Sequence, residues 1–554
     1  MIKKSFSTKL FSRYSDPFNN DKFIYSILGL LILFLLAARI HLLSFPFERD
    51  EGEYAYMGKL ILDGHAPYTL AYNMKLPGTY YMYALSMWLF GKSIVGVHIG
   101  LTIISLSSTV LVFFISKHFV SKLGAIISCA TFGILATSWT LLAQAAHANH
   151  FVTFFALLGI YILLQIYKKQ KEKLLHYFIS GLFFSLAFIC KQSGLFFLFF
   201  GFTIIFIKEF KNSALKNILK KLLLYSIGFV GPLIIMLLYF YLFGDFKRFW
   251  FWTITYLSEY NNQVPISEAF DYFKTSIQII TGRYSSLGYV AIWIVSIIGI
   301  PFIFINMGSK RNKLIIFLFF ILSFLTIVPG FYFRPHYFIT LLPVVGLLVA
   351  GFFEFFNNLF IHKIKLPLFA FLNFFIFIIL VGLGVNSNFD YLFTRNNNIS
   401  CKLIYGPNPF IESLEIGDFL QKNTTKEDKI ATIGSEPQIC FYADRYSATG
   451  YIYTYNLVEL HPYALSMQKE MAQEIESNKP KYILFVNIWM SWLDRPSSEK
   501  YLINWAQNYI SQNYKLVGLC DVMPYEYSSL KIYDQLNGYQ PKSQDLIYIY
   551  ERLK

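Results

Sequence analysis

The chain has 554 residues, of which 55% are hydrophobic, 19% aromatic and only 15% charged, and its formal net charge is +15. This apolar and aromatic content excludes an ordinary water-soluble globular protein and predicts an integral membrane protein. The sequence contains no Gly-rich phosphate loop, no closely spaced cysteine pair and no repeat of solenoid length.

Eleven apolar segments follow one another through the first 385 residues. A membrane-spanning helix needs ~20 mainly apolar residues, so each segment is predicted to cross the membrane. The first is too long for the core of a signal peptide and lacks a small-residue cleavage site, so it is predicted to stay in the mature protein. The predicted spans are 24–45, 95–116, 123–141, 150–167, 174–190, 193–208, 221–243, 286–306, 313–329, 337–353 and 366–384.

Lysine and arginine residues cluster at alternate ends of these spans. Basic residues near span ends are retained in the cytoplasm, so the pattern predicts a cytoplasmic N-terminus and an extracytoplasmic segment after residue 385. The positive net charge is therefore a topology signal, and no nucleic-acid partner is predicted. The predicted cytoplasmic segments are 1–23, 117–122, 168–173, 208–220, 307–313 and 354–365.

The segment 386–554 differs from the rest because its apolar runs shorten to strand length. These runs alternate with helical stretches, which predicts a small extracytoplasmic α/β domain. A helix from His461 to Asn478, ended by Pro480, has the length of a strand-to-strand crossover. The predicted strands are KIATIG (429–434), KYILFVN (481–487), KLVGLCDV (515–522) and LIYIYERL (546–553).

Three of the five cysteines, Cys401, Cys440 and Cys520, fall in this predicted domain. An oxidising compartment would permit a disulfide bond there. Three cysteines cannot all pair, and the sequence does not choose among them.

The predicted first outer loop, 46–94, begins with two adjacent carboxylates, Asp50 and Glu51. An Asp followed three residues later by Glu53 is a capping-box pattern, so one interpretation makes Asp50 only the N-cap of a helix. Apolar residues at helical spacing further predict that this helix lies on the outer membrane surface with its apolar stripe toward the lipid. They are Tyr54, Met57, Leu60 and Ile61.

Four basic residues are predicted at the same membrane depth as the acidic pair. Each alone is explained as a snorkelling or interfacial side chain, but charges at the membrane edge are costly and usually serve a site. Together with the acids they predict a site for a phosphate-bearing lipid headgroup beside a carboxylate that acts on a neighbouring group. The four are Arg39, Lys75, Lys191 and Arg334.

Several motifs occur in a characteristic order: RDEGEYAY, LILDGHAPY and KLPGTYY in the first outer loop, then AHANHF, CKQSG and FRPHYF. In these motifs the chain resembles the glycosyltransferase family 39 enzymes of the GT-C fold, which include protein O-mannosyltransferases and lipid A aminoarabinose transferases. The resemblance implies a multi-pass α-helical membrane protein, with a GT-C-like catalytic domain (1–385) of about 11 transmembrane helices and a C-terminal extracytoplasmic α/β domain (386–554). It also implies transfer of one sugar from a polyprenyl-phosphate carrier to an extracytoplasmic acceptor, with inversion at the anomeric carbon.

The resemblance also implies roles for individual residues. Asp50 matches the acid that serves as the base, and Glu51 matches the second acid of the pair, which orients the acceptor or the first loop. Lys75 matches a lysine that contacts the carrier phosphate. Relatives often carry an acid where this chain has Asn149 and His150, so the contacts to the donor sugar stay open. The predicted substrate-binding residues are Lys75, Lys191, Arg334, His336, Arg39, Asn149 and His150.

The implied chemistry needs no metal. An acceptor hydroxyl attacks C1 while Asp50 takes its proton, and the cations stabilise the departing phosphate. Because phosphate leaves as a stabilised anion, no acid is required on the leaving side. In the alternative interpretation, His147 and His150 with Asp50 or Glu51 ligate a divalent cation. Loop histidines more often form hydrogen bonds, so no cofactor is predicted.

Two other classes of protein remain open as alternatives. An oligosaccharide ligase or polymerase would use a diphosphate carrier, and the sequence does not separate one phosphate from two. A polytopic transporter would usually show paired halves with interrupted helices near the midplane, whereas the charges here gather at the outer edge. The predicted partners are a polyprenyl-phosphate sugar, a lipid, glycan or protein acceptor and membrane lipids, and the predicted location is the bacterial plasma membrane.

Overall fold

The computed structural model describes residues 18, 20–168, 173–209, 214–282, 287–306, 309–360 and 368–553. Several of the basic residues that support the predicted orientation lie outside these ranges, including those in 1–17, 169–172 and 361–367. The orientation therefore stays a prediction.

Helices occupy all eleven segments that were predicted to span the membrane. Seven helical segments in the described part are long and apolar enough to do so, which confirms a multi-pass helical membrane protein, while the count of eleven stays a prediction. The helices are Asp21–His41, Ile94–Ser116, Lys122–Leu135, Ala148–Lys168, Leu175–Cys190, Leu195–Glu209, Leu215–Phe243, Leu287–Asn306, Lys310–Leu325, Leu342–Asn358 and Leu368–Ser387.

The first loop contains two helices, Arg49–Leu62 (the first-loop helix) and Gly78–Phe90. The prediction that the apolar stripe of the first-loop helix faces the lipid is wrong, because nearly all residues of this helix are buried within the protein. The two helices pack together, and the C-terminal part of the chain covers the first-loop helix from another side. Gly52 permits this contact, since a Cβ at that position would lie 2.7 Å from the backbone nitrogen of Gln438.

A sheet of six strands forms the core of the C-terminal domain, in the order β2-β1-β3-β6-β4-β5. β1, β2 and β3 run parallel, whereas β6 is antiparallel to both β3 and β4, and β5 is antiparallel to β4. All four predicted strands are confirmed, as is the predicted crossover helix, Ala464–Asn478. The strands are β1 Lys429–Ile433, β2 Tyr446–Ser447, β3 Tyr482–Asn487, β4 Tyr514–Asp521, β5 Ser529–Ile532 and β6 Leu546–Arg552.

Shorter helices lie between the membrane helices Leu215–Phe243 and Leu287–Asn306 and in the C-terminal part of the chain. All five cysteines are buried and free, so the disulfide bond left open by the sequence does not form. The shorter helices are Phe246–Trp250, Leu257–Asn261, Ala269–Ile280, Asn397–Tyr405, Glu412–Asn423, Gln438–Ala443, Tyr455–Val458 and Tyr501–Asn513.

Candidate functional site

Asp50 lies in the first turn of the first-loop helix but does not cap it. The N-cap is Glu48, whose Oε1 accepts a hydrogen bond from the backbone N–H of Glu51 at 3.0 Å, so the capping interpretation of Asp50 is wrong. Because Asp50 does not cap the helix, its carboxylate is free to bind other groups. Its Oδ1 atom accepts hydrogen bonds from Lys75 Nζ at 3.2 Å and from the Tyr453 hydroxyl at 3.0 Å. The predicted base and the predicted phosphate-side lysine are therefore in direct contact.

Lys75 also contacts a second carboxylate, Glu53, which was predicted only as part of a capping box. Lys75 Nζ lies 3.1 Å from Glu53 Oε2, and the other oxygen of Glu53 accepts a hydrogen bond from the Tyr80 hydroxyl at 2.8 Å. The sequence spacing of Asp50 and Glu53 could have predicted that both carboxylates lie at the site, because residues three apart lie on the same face of a helix. Lys75 is thus shared between two carboxylates.

The charges of this cluster shift one another's ionisation. Burial alone would raise the pKa of Asp50, but the positive charge of Lys75 holds that pKa well below its usual range. Burial lowers the pKa of Lys75, and the two carboxylates more than offset this and raise it above its usual value. For Glu53, burial outweighs Lys75 and raises the pKa to about 7. Asp50 and Lys75 are therefore both charged at neutral pH.

Glu51 points away from this cluster and joins the first loop to other elements. It is fully buried, and its Oε1 accepts a hydrogen bond from the backbone N–H of Ala146 at 2.7 Å and lies 2.9 Å from Nε2 of His98. These contacts hold the first-loop helix against the segment before the helix Ala148–Lys168. The geometry fits the predicted role of orienting the first loop.

Lys191 and Asn149 form a second polar group. Lys191 Nζ donates to Asn149 Oδ1 at 3.1 Å and lies 3.6 Å from the centre of the Tyr337 ring, while Asn149 Nδ2 donates to the Tyr337 carbonyl at 3.3 Å. Burial lowers the pKa of Lys191 to about 7. No carboxylate within the described ranges lies in ion-pair distance of this lysine, so its charge is available to an anion.

Arg334 lies beside this group, with an exposed side chain. Its guanidinium lies 5.2 Å from the centre of the Tyr332 ring, which stacks on Tyr260 at 4.8 Å. The charge of Arg334 is close enough to Asp50 to help lower the pKa of that carboxyl. Arg334 also lies two residues before His336, whose ring stacks on His147 beside Asp50, so the structure brings Arg334 to the same site as Asp50.

His147 and His336 stack with their ring centres 4.0 Å apart. His147 Nδ1 lies 4.0 Å from Asp50 Oδ2 and 3.8 Å from Glu48 Oε1. Both nitrogens of His147 and the Nδ1 of His336 are buried without a hydrogen-bond partner in the described part of the chain. One ligand atom each from Asp50, His147 and His336 lie within 4.8 Å of one another, so these three residues could hold a divalent cation.

Two predicted site residues have other surroundings. Arg39 is buried and donates to the Ala143 carbonyl at 2.9 Å and to Ser105 Oγ at 3.1 Å, so it binds other parts of the protein, and the predicted substrate contact is wrong. The reason is that its helix is covered at this depth by neighbouring helices. His150 is buried as well. It was predicted as a possible cation ligand together with His147, but the residue that lies beside His147 and Asp50 is His336.

A family model described as dolichyl-phosphate-mannose-protein mannosyltransferase matches residues 74–240. The matched segment includes Lys75, Asn149 and Lys191 and leaves out Asp50 and Arg334. A search of curated proteins finds no match to this chain.

Solved structures resemble nearly the whole chain. ArnT from Cupriavidus metallidurans bound to undecaprenyl phosphate has a TM-score of 0.55 at 11% identity, over 96% of this chain and 98% of that one. The oligosaccharyltransferase of Archaeoglobus fulgidus tethered with an acceptor peptide has a TM-score of 0.53 at 12% identity, over 93% and 74%. AglB from the same organism, in complex with an inhibitory peptide and a dolichol-phosphate, has a TM-score of 0.50 at 13% identity, over 92% and 74%. These likenesses confirm the predicted GT-C fold.

Proposed function

We propose that this protein is an inverting glycosyltransferase that moves a single sugar from a polyprenyl-phosphate carrier to an acceptor hydroxyl on a lipid, a glycan or a protein. The observation that carries the proposal is the contact of the Asp50 carboxylate with Lys75 Nζ, at a site where Lys191 and Arg334 supply further positive charge. A carboxylate can take a proton from an attacking hydroxyl, and the cations can stabilise a phosphate that gains charge as it departs.

The reaction follows from these positions. The acceptor oxygen forms a bond to C1 of the sugar on the face opposite the phosphate, and the bond between C1 and the phosphate oxygen breaks. The hydroxyl proton passes to Asp50, and polyprenyl phosphate leaves as an anion. Attack opposite the leaving group inverts the anomeric carbon. No acid is needed on the leaving side, in contrast to glycosidases, whose leaving group is a sugar alkoxide.

The three cations differ in how far they can stabilise the departing phosphate. Lys75 is held by Asp50 and Glu53, so its charge is largely used within the protein. Lys191 and Arg334 have no such carboxylate in ion-pair distance among the described residues, which favours them as the main phosphate contacts. Lys75 then sets the ionisation of Asp50 and completes the positive surroundings of the phosphate. The structural neighbours bound to undecaprenyl phosphate and dolichol-phosphate support a carrier of this chemistry.

The membrane orientation belongs to the same proposal. The distribution of lysine and arginine along the sequence favours a site and a C-terminal domain on the extracytoplasmic face of a bacterial plasma membrane. Sugars carried on a polyprenyl lipid would meet the site from within the membrane, and the acceptor would reach it from the side of the C-terminal domain.

A second candidate is an oligosaccharide ligase that uses a diphosphate carrier. The resemblance to the oligosaccharyltransferase of Archaeoglobus fulgidus favours it, because its TM-score is close to that of ArnT. The mass of the product separates the two candidates: one sugar is added in the first case and a preassembled block in the second.

The experiment that tests the proposal measures the release of polyprenyl phosphate by the protein in lipid discs. A panel of polyprenyl-phosphate sugars serves as donors and a membrane lipid extract as acceptor. We expect Asp50→Asn to lower release by ~100-fold or more, within the range of a general base. Asp63→Asn, at the other end of the same helix, is the matched control and keeps its activity. Release that survives in Asp50→Asn would contradict the proposed base.

A further inference from the structure

Tyr453 brings the C-terminal domain into contact with the candidate base. Its side chain is buried, and its hydroxyl donates to Asp50 Oδ1 at 3.0 Å, the same oxygen that accepts from Lys75 Nζ. With two donors on Oδ1, the oxygen left for a substrate is Oδ2, which lies toward His147. A carboxylate with one oxygen fixed in this way cannot rotate freely.

We infer that Tyr453 is a positioning residue by which the C-terminal domain orients the Asp50 carboxylate and presents its Oδ2 atom to the acceptor hydroxyl. The inference rests on the proposed function, because it concerns the same carboxylate. It gives the C-terminal domain a part in the reaction beyond covering the membrane region.

The segment that carries Tyr453 is held on both sides. The backbone N–H of Thr454 donates to Ser435 Oγ at 2.9 Å, and the Thr454 hydroxyl donates to the Ser491 carbonyl at 3.1 Å. The ring of Tyr455 packs edge to face against Tyr453 with ring centres 5.0 Å apart. The position of the Tyr453 hydroxyl is therefore set by the fold of the C-terminal domain.

The same domain also holds the residue before Asp50. Arg49 donates through Nε to the Ser435 carbonyl and pairs through Nη2 with Glu436, each at 2.5 Å, and its Nη1 donates to the Tyr455 hydroxyl at 2.7 Å. Two consecutive residues of the first-loop helix are thus bound to one short region of the C-terminal domain. The orientation of Asp50 consequently depends on how the C-terminal domain packs against the first-loop helix.

The test compares Tyr453→Phe with Tyr451→Phe in the full-length protein. Tyr451 lies two residues earlier, is buried as well, and its hydroxyl donates to the carboxylate of Glu470 at 2.6 Å. Both variants therefore remove a buried hydroxyl that donates to a carboxylate, but only one of these carboxylates is Asp50. A hydrogen bond to a charged group is worth ~1.5–3 kcal/mol, which corresponds to a factor of ~10–100 in rate.

We expect Tyr453→Phe to lower kcat for polyprenyl-phosphate release by ~10–100-fold with the KM for the donor unchanged. Tyr451→Phe is expected to keep kcat, and both variants to keep a similar Tm. A merely structural role would lower Tm, or would lower kcat equally in both variants, and either result would overturn the inference. A raised KM with kcat intact would also overturn it, because Tyr453 would then contact the substrate.

The failure of this inference can be told apart from the failure of the proposed function. If Asp50→Asn is inactive and Tyr453→Phe is fully active, Asp50 remains the base and Tyr453 does not position it. If Asp50→Asn retains its release activity, the proposed base is wrong and the positioning role is overturned with it.

Discussion

Arg49 of the first-loop helix and Glu436 of the C-terminal domain form a buried ion pair, with 2.5 Å between Nη2 and Oε1. Both side chains are almost completely withdrawn from solvent, at 8% and 0% exposure. Removing one partner of a buried pair leaves the other charge uncompensated, which typically costs ~3–5 kcal/mol. The pair therefore makes the seating of the C-terminal domain sensitive to single substitutions.

We predict that Arg49→Met or Glu436→Met alone lowers the Tm of the protein in detergent and exposes the C-terminal domain to limited proteolysis. The double variant is expected to recover part of the loss, since no charge is then left unpaired. The control is Lys422→Met, which breaks an exposed pair with Asp418 that is worth ~0–1 kcal/mol at most. A single variant as stable as the control would contradict the prediction.

Lys191 predicts a pH dependence for donor use. Because burial lowers its pKa to about 7, the ammonium is charged below that pH and loses its charge as the pH rises through it. A neutral amine does not stabilise a phosphate anion, so kcat/KM for the donor is expected to fall above about pH 7. Lys191→Met is expected to be ~100-fold less active at low pH and to lack this decline.

Lys191→Arg provides the sharper measurement, because a guanidinium stays charged across the whole range. For each protein we compare the activity at high pH with the activity at low pH. We expect this ratio to be larger for Lys191→Arg than for the wild type. Lys92→Arg, whose lysine pairs with Asp444 in an exposed position, is the control and keeps the wild-type profile. An unchanged decline in Lys191→Arg would assign the titration to another group.

Glu51 is predicted to act through stability and loop position. Glu51→Ala leaves the backbone N–H of Ala146 without its acceptor, and a buried unpaired donor costs ~1–3 kcal/mol. We therefore expect a lower Tm, measured by thermal unfolding in detergent, with a smaller loss in Glu51→Gln, which keeps an acceptor. The exposed Glu427→Ala variant serves as the reference. If Glu51→Ala lost activity at an unchanged Tm, Glu51 would belong to the reaction instead.

The sequence was sufficient for the features that depend on local composition. Apolar length located the membrane helices, and alternating short runs located four strands of the C-terminal sheet. Membrane-edge charge selected Asp50, Lys75, Lys191 and Arg334 as one group, because burying such charges is costly unless they serve a site, and the structure places Lys75 in contact with Asp50. These are properties of short segments, so they are visible without knowing the packing.

Other features depend on contacts between distant parts of the chain. Nothing in the sequence around Tyr453 indicates a contact with Asp50, because that contact exists only once the C-terminal domain is seated. The helix start was ambiguous as well, since both Glu48 and Asp50 have an acid three residues later, and the structure selects Glu48. Arg39 met the same charge criterion as Lys191, yet its partners are the Ala143 carbonyl and Ser105 Oγ.

The group formed by Asp50, His147 and His336 makes metal dependence the last prediction. Its ligand atoms are close enough to share a cation, whereas Lys75, Lys191 and Arg334 already supply positive charge for the departing phosphate. We therefore expect polyprenyl-phosphate release to be unchanged after dialysis against EDTA. A loss of release that Mn²⁺ or Zn²⁺ restores, and that cannot be restored in His336→Ala, would contradict this expectation. The three residues would then be ligands of a cation that stabilises the phosphate.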